Sequence, residues 1–170
     1  MLFLLFKLGN DRYALEAGRV IEVLPLLELK KIPSAPRGVA GIFNYRGRPV
    51  PAVDISELTL GHPAPERLST RIIVISHPDH SGKNQPLGLI AEHATEIIRR
   101  DRKEFVEPGL PAGSPPFLGP ILMDDQGAIQ WVREQRLLPE SVRNLLFSET
   151  VEAVRYDERS TQSPIRIDGG

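Results

Sequence analysis

Apolar residues fall in short runs along this chain, and each run ends at a turn signal. Leu2 to Leu8 is apolar except for Lys7, and Gly9-Asn10-Asp11 interrupts it. A strand, a turn and a returning strand from Arg12 to Leu15 are predicted. Glu16-Ala17-Gly18-Arg19 reads as a short helical turn. Val20 to Leu24 reads as extended, and Leu26 to Leu29 as a further extended stretch, before Pro33 and Pro36 mark a loop. Thr70 to Ser76 (TRIIVIS) is continuous and β-branched, the strongest strand signal in the chain. His77 to Gln85 is a polar loop. Pro86 to Ala91 and Ala94 to Arg99 form two strands bent near Glu92-His93. After a proline- and glycine-rich loop from Pro108 to Pro116, Phe117 to Met123 and Ala128 to Val132 form a hairpin about Asp124-Asp125-Gln126-Gly127. Pro139 to Phe147 is predicted helical, with Val142, Leu145 and Leu146 at helical spacing.

Short strands at regular intervals, punctuated by proline and glycine, point to an all-β barrel or sandwich. No internal repeat is visible by eye. Residues 1–147 carry the apolar runs. Residues 148–170 (SETVEAVRYDERSTQSPIRIDGG) are charged and polar, which predicts a disordered or partly helical tail. Its short apolar island, PIRI, is a possible docking peptide.

The densest pattern lies at residues 41–55, GIFNYRGRPVPAVDI. It reads as a tight hairpin: a strand from Val39 to Tyr45, a turn at Arg46-Gly47-Arg48, and a strand from Pro49 to Ile55. Gly47 supplies the positive φ of a turn. Pro49 and Pro51 cannot donate to a ladder and suggest an edge or a bulge. Ser56 is the predicted N-cap of a short helix reaching Leu60, and Gly61-His62-Pro63 ends it.

The composition narrows the possible functions. At 170 residues with 41% hydrophobic content, the chain is long enough for a packed core. A net charge of −1 argues against a nucleic-acid-binding surface. With no cysteine, disulfides, thiolate metal sites and thiol catalysis are excluded, a composition that fits the cytosol. The apolar start, Met1 to Phe6, is broken by Lys7, Asn10, Asp11 and Arg12. An export segment needs ~7–15 apolar residues and a membrane span ~20. A buried first strand is therefore expected, without membrane insertion.

Residues 41–54 carry a family resemblance. Gly41-Ile42-Phe43-Asn44-Tyr45-Arg46-Gly47, followed by Val50-Pro51-Ala52-Val53-Asp54, is similar to the core of the CheW-type chemotaxis coupling proteins in one ungapped run. These small scaffolds join a histidine kinase to chemoreceptor tips. The resemblance covers about Leu2 to Phe147. It implies an all-β fold of two interlocked five-stranded SH3-like barrels, with short helices, a C-terminal helix and, here, a polar tail. It implies a cytoplasmic, non-catalytic adaptor recruited to membrane-bound receptor arrays, with no cofactor and no metal. Its partners would be the regulatory domain of a CheA-type kinase and the signalling tip of a methyl-accepting receptor. Tyr45 stands where the family usually has leucine, and Phe43 is bulkier than typical. Such differences suit a specialised chemosensory pathway.

Carried over position by position, the resemblance assigns the receptor-binding side to Val20, Glu22, Gly41, Ile42, Asn44, Arg46 and Gly47. Arg46 would pair with Glu22. Gly41 would let a receptor helix approach the backbone. Leu24, Leu26 and Leu27 would meet the kinase. Each also has an ordinary reading. Arg46 could be a solvated charge, Val20 and Ile42 core, Gly41 a bulge or close backbone contact, and the leucines core under a loop.

Other candidate chemistry is weaker. His77-Pro78-Asp79-His80 offers three ligands but lacks the fourth that structural zinc requires, and a solvated loop explains it better. Asp54 and Asp124-Asp125 are not brought together by any pattern, as paired acid–base carboxylates would have to be. No nucleophile elbow, phosphate loop or dinucleotide fingerprint is present. Two other functions stay open: a coupling domain of a phosphorylation-regulated signalling protein, and a small-ligand-binding β-barrel.

Overall fold

The structure, a computed structural model, describes residues 1–147. The expected polar tail at 148–170 lies outside the described residues. Nine strands follow in order: β1 (Leu2–Leu8), β2 (Asp11–Glu16), β3 (Val20–Pro25), β4 (Val39–Tyr45), β5 (Arg48–Asp54), β6 (Thr70–Pro78), β7 (Asn84–Arg99), β8 (Leu118–Asp124) and β9 (Gly127–Val132). Helix α1 (Ile55–Leu60) follows β5, and α2 covers 140–147. Short 3₁₀ turns lie at Ala17–Arg19, Arg102–Glu104 and Glu134–Arg136.

All nine strands join one hydrogen-bonded sheet, which curls into two barrels because β7 serves both. The first half of β7 pairs antiparallel with β6, from Asn84 to Glu92, and parallel with β5, from Gly88 to Ile90. Its last four residues pair antiparallel with β1. The switch falls at a register shift opposite Leu5 and Lys7, where His93 takes a φ of +54°. The two strands expected on either side of Glu92-His93 are thus one strand with a bulge, a device that bends a strand and re-aims its side chains.

The first barrel comprises β3, β4, β5, β6 and the start of β7. The second comprises the end of β7 with β1, β2, β8 and β9. Each contains an antiparallel hairpin (β4–β5, β8–β9) whose second strand pairs parallel with β7 or β2. Each is closed by one bridge from the segment after its outer strand: Lys30 to Ile42, and Val106 to Ile121.

This arrangement explains the continuous apolar runs. In β6, Ile72 and Val74 fill the first barrel while Ile73 and Ile75 face the core between the barrels. In β1, Phe3 and Leu5 fill the second barrel while Leu4, Phe6 and Leu8 face that shared core. Alternation sends side chains to opposite faces of a strand, and here both faces are buried. Helix α2 lays Val142 and Leu146 on the shared core and leaves Leu145 partly exposed.

Three local expectations need correction. Leu26 to Leu29 is not a strand. Its leucines tuck toward the first barrel's interior, except Leu27. His77 and Pro78 belong to β6, so the loop after it is shorter than expected. The cap of α1 is Asp54 and not Ser56. Asp54 accepts from the Glu57 N–H at 3.2 Å and from the Ala64 N–H at 2.9 Å, whereas Ser56 donates its hydroxyl to the His62 carbonyl at 2.9 Å. Burial pushes the Asp54 carboxyl up, against the pull of these N–H groups.

Candidate functional site

The β4–β5 hairpin is tighter than expected. Tyr45 pairs with Arg48, so only Arg46 and Gly47 form the loop. Both have positive φ, +52° and +80°, as a type I′ turn requires. The Asn44 side chain accepts from the Gly47 N–H at 2.8 Å and locks the turn. Pro49 and Pro51 precede Ala52, where pairing with β7 begins, so the N–H groups they lack cost no ladder bond.

This rigid tip reaches across to β3. Arg46 donates to Glu22 Oε2 at 3.0 Å, and the Tyr45 hydroxyl donates to the same oxygen at 2.7 Å. The Arg46 guanidinium also lies 5.3 Å from the centre of the Tyr45 ring, within cation–π range. The hydrogen bond to Glu22 pushes the Tyr45 phenol up from its ordinary value. Arg46 keeps 73% of its side-chain exposure and Glu22 keeps 36%. The expected Glu22–Arg46 pair is therefore present. Tyr45, which sequence reasoning treated only as a departure from leucine, is its third member.

Other expected site residues lie less simply. Gly41 is buried with a φ of +148°, and a Cβ there would stand 2.5 Å from the Lys30 carbonyl oxygen. The close approach that this glycine permits is made by the chain's own Lys30–Ile42 bridge, which replaces the expected partner backbone. Ile42 is half-buried beside that bridge. Val20 packs against the shared core, because a register shift between Val20 and Glu22 turns Ile21 outward instead. Ile21 is 51% exposed and was missed; no feature of the sequence marks the shift.

Leu24 and Leu26 pack against the first barrel's core, and Leu27 is exposed. Leu26, Leu27 and Leu29 border an open groove of about 660 Å³ whose other walls include Lys31, Glu57 and Glu66.

The remaining candidates are engaged elsewhere. His77 is fully buried, its Nδ1 is 3.0 Å from the Pro78 carbonyl, and burial pulls its pKa down. Asp79 folds into its own loop, accepting from Ser81, Lys83 and Gln85. Asp54 caps α1 in the first barrel, and Asp124 is held by Arg12 in the second. Among the described residues, no three His, Cys, Asp or Glu side chains gather as metal ligands, and no helix is long and apolar enough to cross a membrane.

Comparison with known proteins gives a consistent picture. The family model for the CheW-like domain matches residues 2–142. The chemotaxis protein CheW of Helicobacter pylori (strain ATCC 700392 / 26695) is 30% identical over 98 residues, covering 57% of this chain and 56% of that protein. The CheW of Treponema pallidum (strain Nichols) is 26% identical over 109 residues, 61% of this chain and 60% of that protein. The matched stretches thus span little more than half of these curated relatives. The crystal structure of the scaffolding protein TtCheW from Thermoanaerobacter tengcongensis superposes with a TM-score of 0.71 at 24% identity, covering 83% of this chain and 89% of that one. The fold is the expected pair of SH3-like barrels.

Proposed function

This chain belongs to the CheW-like domain family, and from that premise we propose that it is a non-catalytic adaptor between a CheA-type histidine kinase and the signalling tip of a methyl-accepting chemoreceptor. It works in the cytoplasm, recruited to membrane-bound receptor arrays. Its action is geometric: it fixes kinase and receptor in one array, so that receptor state biases autophosphorylation.

The observation that carries this reading is the Arg46 guanidinium. It is held by Glu22 and Tyr45 on a two-residue turn, yet mostly open to solvent. An exposed ion pair of this kind contributes only ~0–1 kcal/mol to a fold. Its rigid presentation suits recognition of another molecule, since a guanidinium offers five donors in a planar fork. Ile21, Ile42, Asn44 and Gly47 lie on or beside the same edge and frame the receptor contact, while Val20 and Gly41 support it from beneath. The kinase meets the first barrel at Leu24, Leu26 and Leu27, of which Leu26 and Leu27 line the open groove.

The test mixes purified protein with the CheA-type kinase and a receptor signalling fragment from the same genome. A complex of all three with altered autophosphorylation is expected. Failure to bind either partner at tens of micromolar would contradict the adaptor reading.

A further inference from the structure

The Glu22–Tyr45–Arg46 cluster has unused capacity on both sides. Both donors that reach Glu22, from Tyr45 and Arg46, converge on Oε2. Among the described residues, Glu22 Oε1 accepts no hydrogen bond, and Arg46 spends one nitrogen, Nη2, on the pair. The cluster therefore presents a free carboxylate oxygen beside a guanidinium with spare N–H groups. The two charges cancel, so neither a cation nor an anion is favoured overall. A partner lysine would meet Arg46, and a partner carboxylate would meet Glu22.

We propose that this cluster recognises an uncharged side chain carrying both an acceptor and a donor, namely a carboxamide (Asn or Gln) on the receptor-type helix, and that Tyr45 is the positioning residue that makes it selective. The inference rests on the adaptor reading above. The carboxamide oxygen accepts from Arg46, and its NH₂ donates to Glu22 Oε1. The Tyr45 hydroxyl occupies Oε2 and its ring underlies the guanidinium, so neither charge can swing away to close fully on the other. A leucine at this position would supply neither the hydroxyl nor the ring. The exposed Ile21 beside Glu22 adds an apolar contact on the same edge.

The test uses the full chain as wild type, Tyr45→Phe, Glu22→Gln and the double variant, with calorimetric titration by a receptor signalling fragment. Tyr45→Phe keeps the ring and should lower the melting temperature by no more than a few degrees while weakening binding about fivefold, the scale of one hydrogen bond. In the Glu22→Gln background the same change should have no further effect. Each Asn and Gln of the fragment is then replaced by Leu and by its acid. One position should lose about tenfold in affinity in both forms and become insensitive to Tyr45→Phe. Unaltered binding by Tyr45→Phe, additive losses in the double variant, or sensitivity at a charged position instead would each overturn the proposal. A partner-free readout separates the two layers: Glu22→Gln should lower the pH at which the Tyr45 phenol ionises, followed by ¹³C NMR. If that shift occurs but wild type does not bind the fragment, the cluster is as described and the adaptor reading fails, taking the carboxamide partner with it.

Discussion

Each barrel carries a hairpin with a two-residue turn, and a charge at or beside that turn is put to opposite uses. In the first barrel, β4–β5 turns through Arg46 and Gly47, and its cation is 73% exposed. In the second, β8–β9 turns through Asp125 and Gln126 between Asp124 and Gly127, and its anion is enclosed. Arg12 on β2 grips Asp124 with both terminal nitrogens and also reaches the Gly127 carbonyl at 3.1 Å. The side chains of that pair are only 14% and 20% exposed. Asp124 also accepts from the Gln126 N–H at 2.8 Å. One tip spends its charge on the fold, and the other leaves it available to a partner. Asp124 flanks its turn, as Tyr45 does in the first barrel, whereas Arg46 lies within the loop, and exposure with unused donors distinguishes the two charges.

The largest expected effect tests whether the barrels are separable at all. Phe43 fills the first barrel, and its ring stands where a Cβ of Gly88 would be, at 2.5 Å. Phe43→Ala should cost about 3–5 kcal/mol. Trp131, the single tryptophan, reports from the second barrel. Because Val53 and Ile73 of one barrel share a core with Leu4 and Val132 of the other, its fluorescence should shift with the same midpoint as the circular dichroism. Two separate midpoints would mean the barrels unfold independently.

Next in size is the contrast between the tips. Asp124→Asn should cost about 1–2 kcal/mol, because a bidentate, part-buried, charge-assisted contact is lost. Arg46→Ala should cost under about 0.5 kcal/mol. Equal costs in urea denaturation would erase the distinction between the two tips.

The pH dependence sharpens it further. Arg12 holds the Asp124 carboxyl down to about 2. A carboxylate whose folded value lies below its unfolded one, about 3.9, stabilises the fold above that pH. The contribution is lost as pH falls toward the folded value, so stability should drop between about pH 4 and pH 2. Asp124→Asn should remove only part of that drop, because Asp79, held down to about 2 chiefly by the Ser81 hydroxyl, contributes in the same range. Asp54, raised by burial, has the opposite sign. Its charged form is disfavoured in the fold, so it should add stability as pH falls from neutral toward about 4. Denaturation midpoints measured across this range in Asp54→Asn and Asp124→Asn should separate the two. The smallest expected effect is that of zinc: saturating metal should leave the melting temperature unchanged, since a ligand of the native state must stabilise it. A rise would revive the histidines around Asp79 as ligands.

Part of this was legible in the sequence because four of the eight strand pairings among the described residues join neighbours along the chain. The hairpins at 2–16, 39–54 and 118–132 follow from alternation and turn residues, and TRIIVIS betrayed a strand buried on both faces. What remained hidden depends on contacts between distant segments. Ser56 has the usual cap chemistry, but Asp54 wins because it also reaches Ala64 across the loop after α1. Gly41 looked like an opening for a partner, yet Lys30 fills the space. Tyr45 is a plain strand aromatic until β3 brings Glu22 to its hydroxyl. The bulge that exposes Ile21 lies in the pairing of β3 with β6, and one strand's sequence does not record its partner's register.

The most direct measurement is receptor-dependent autophosphorylation of the kinase, reconstituted with wild type, Arg46→Ala or Asp124→Asn. Arg46→Ala should unfold like wild type but lose receptor control, while Asp124→Asn should be less stable yet keep it. Full control retained by Arg46→Ala would contradict the claim that the first barrel's tip is the receptor-facing one.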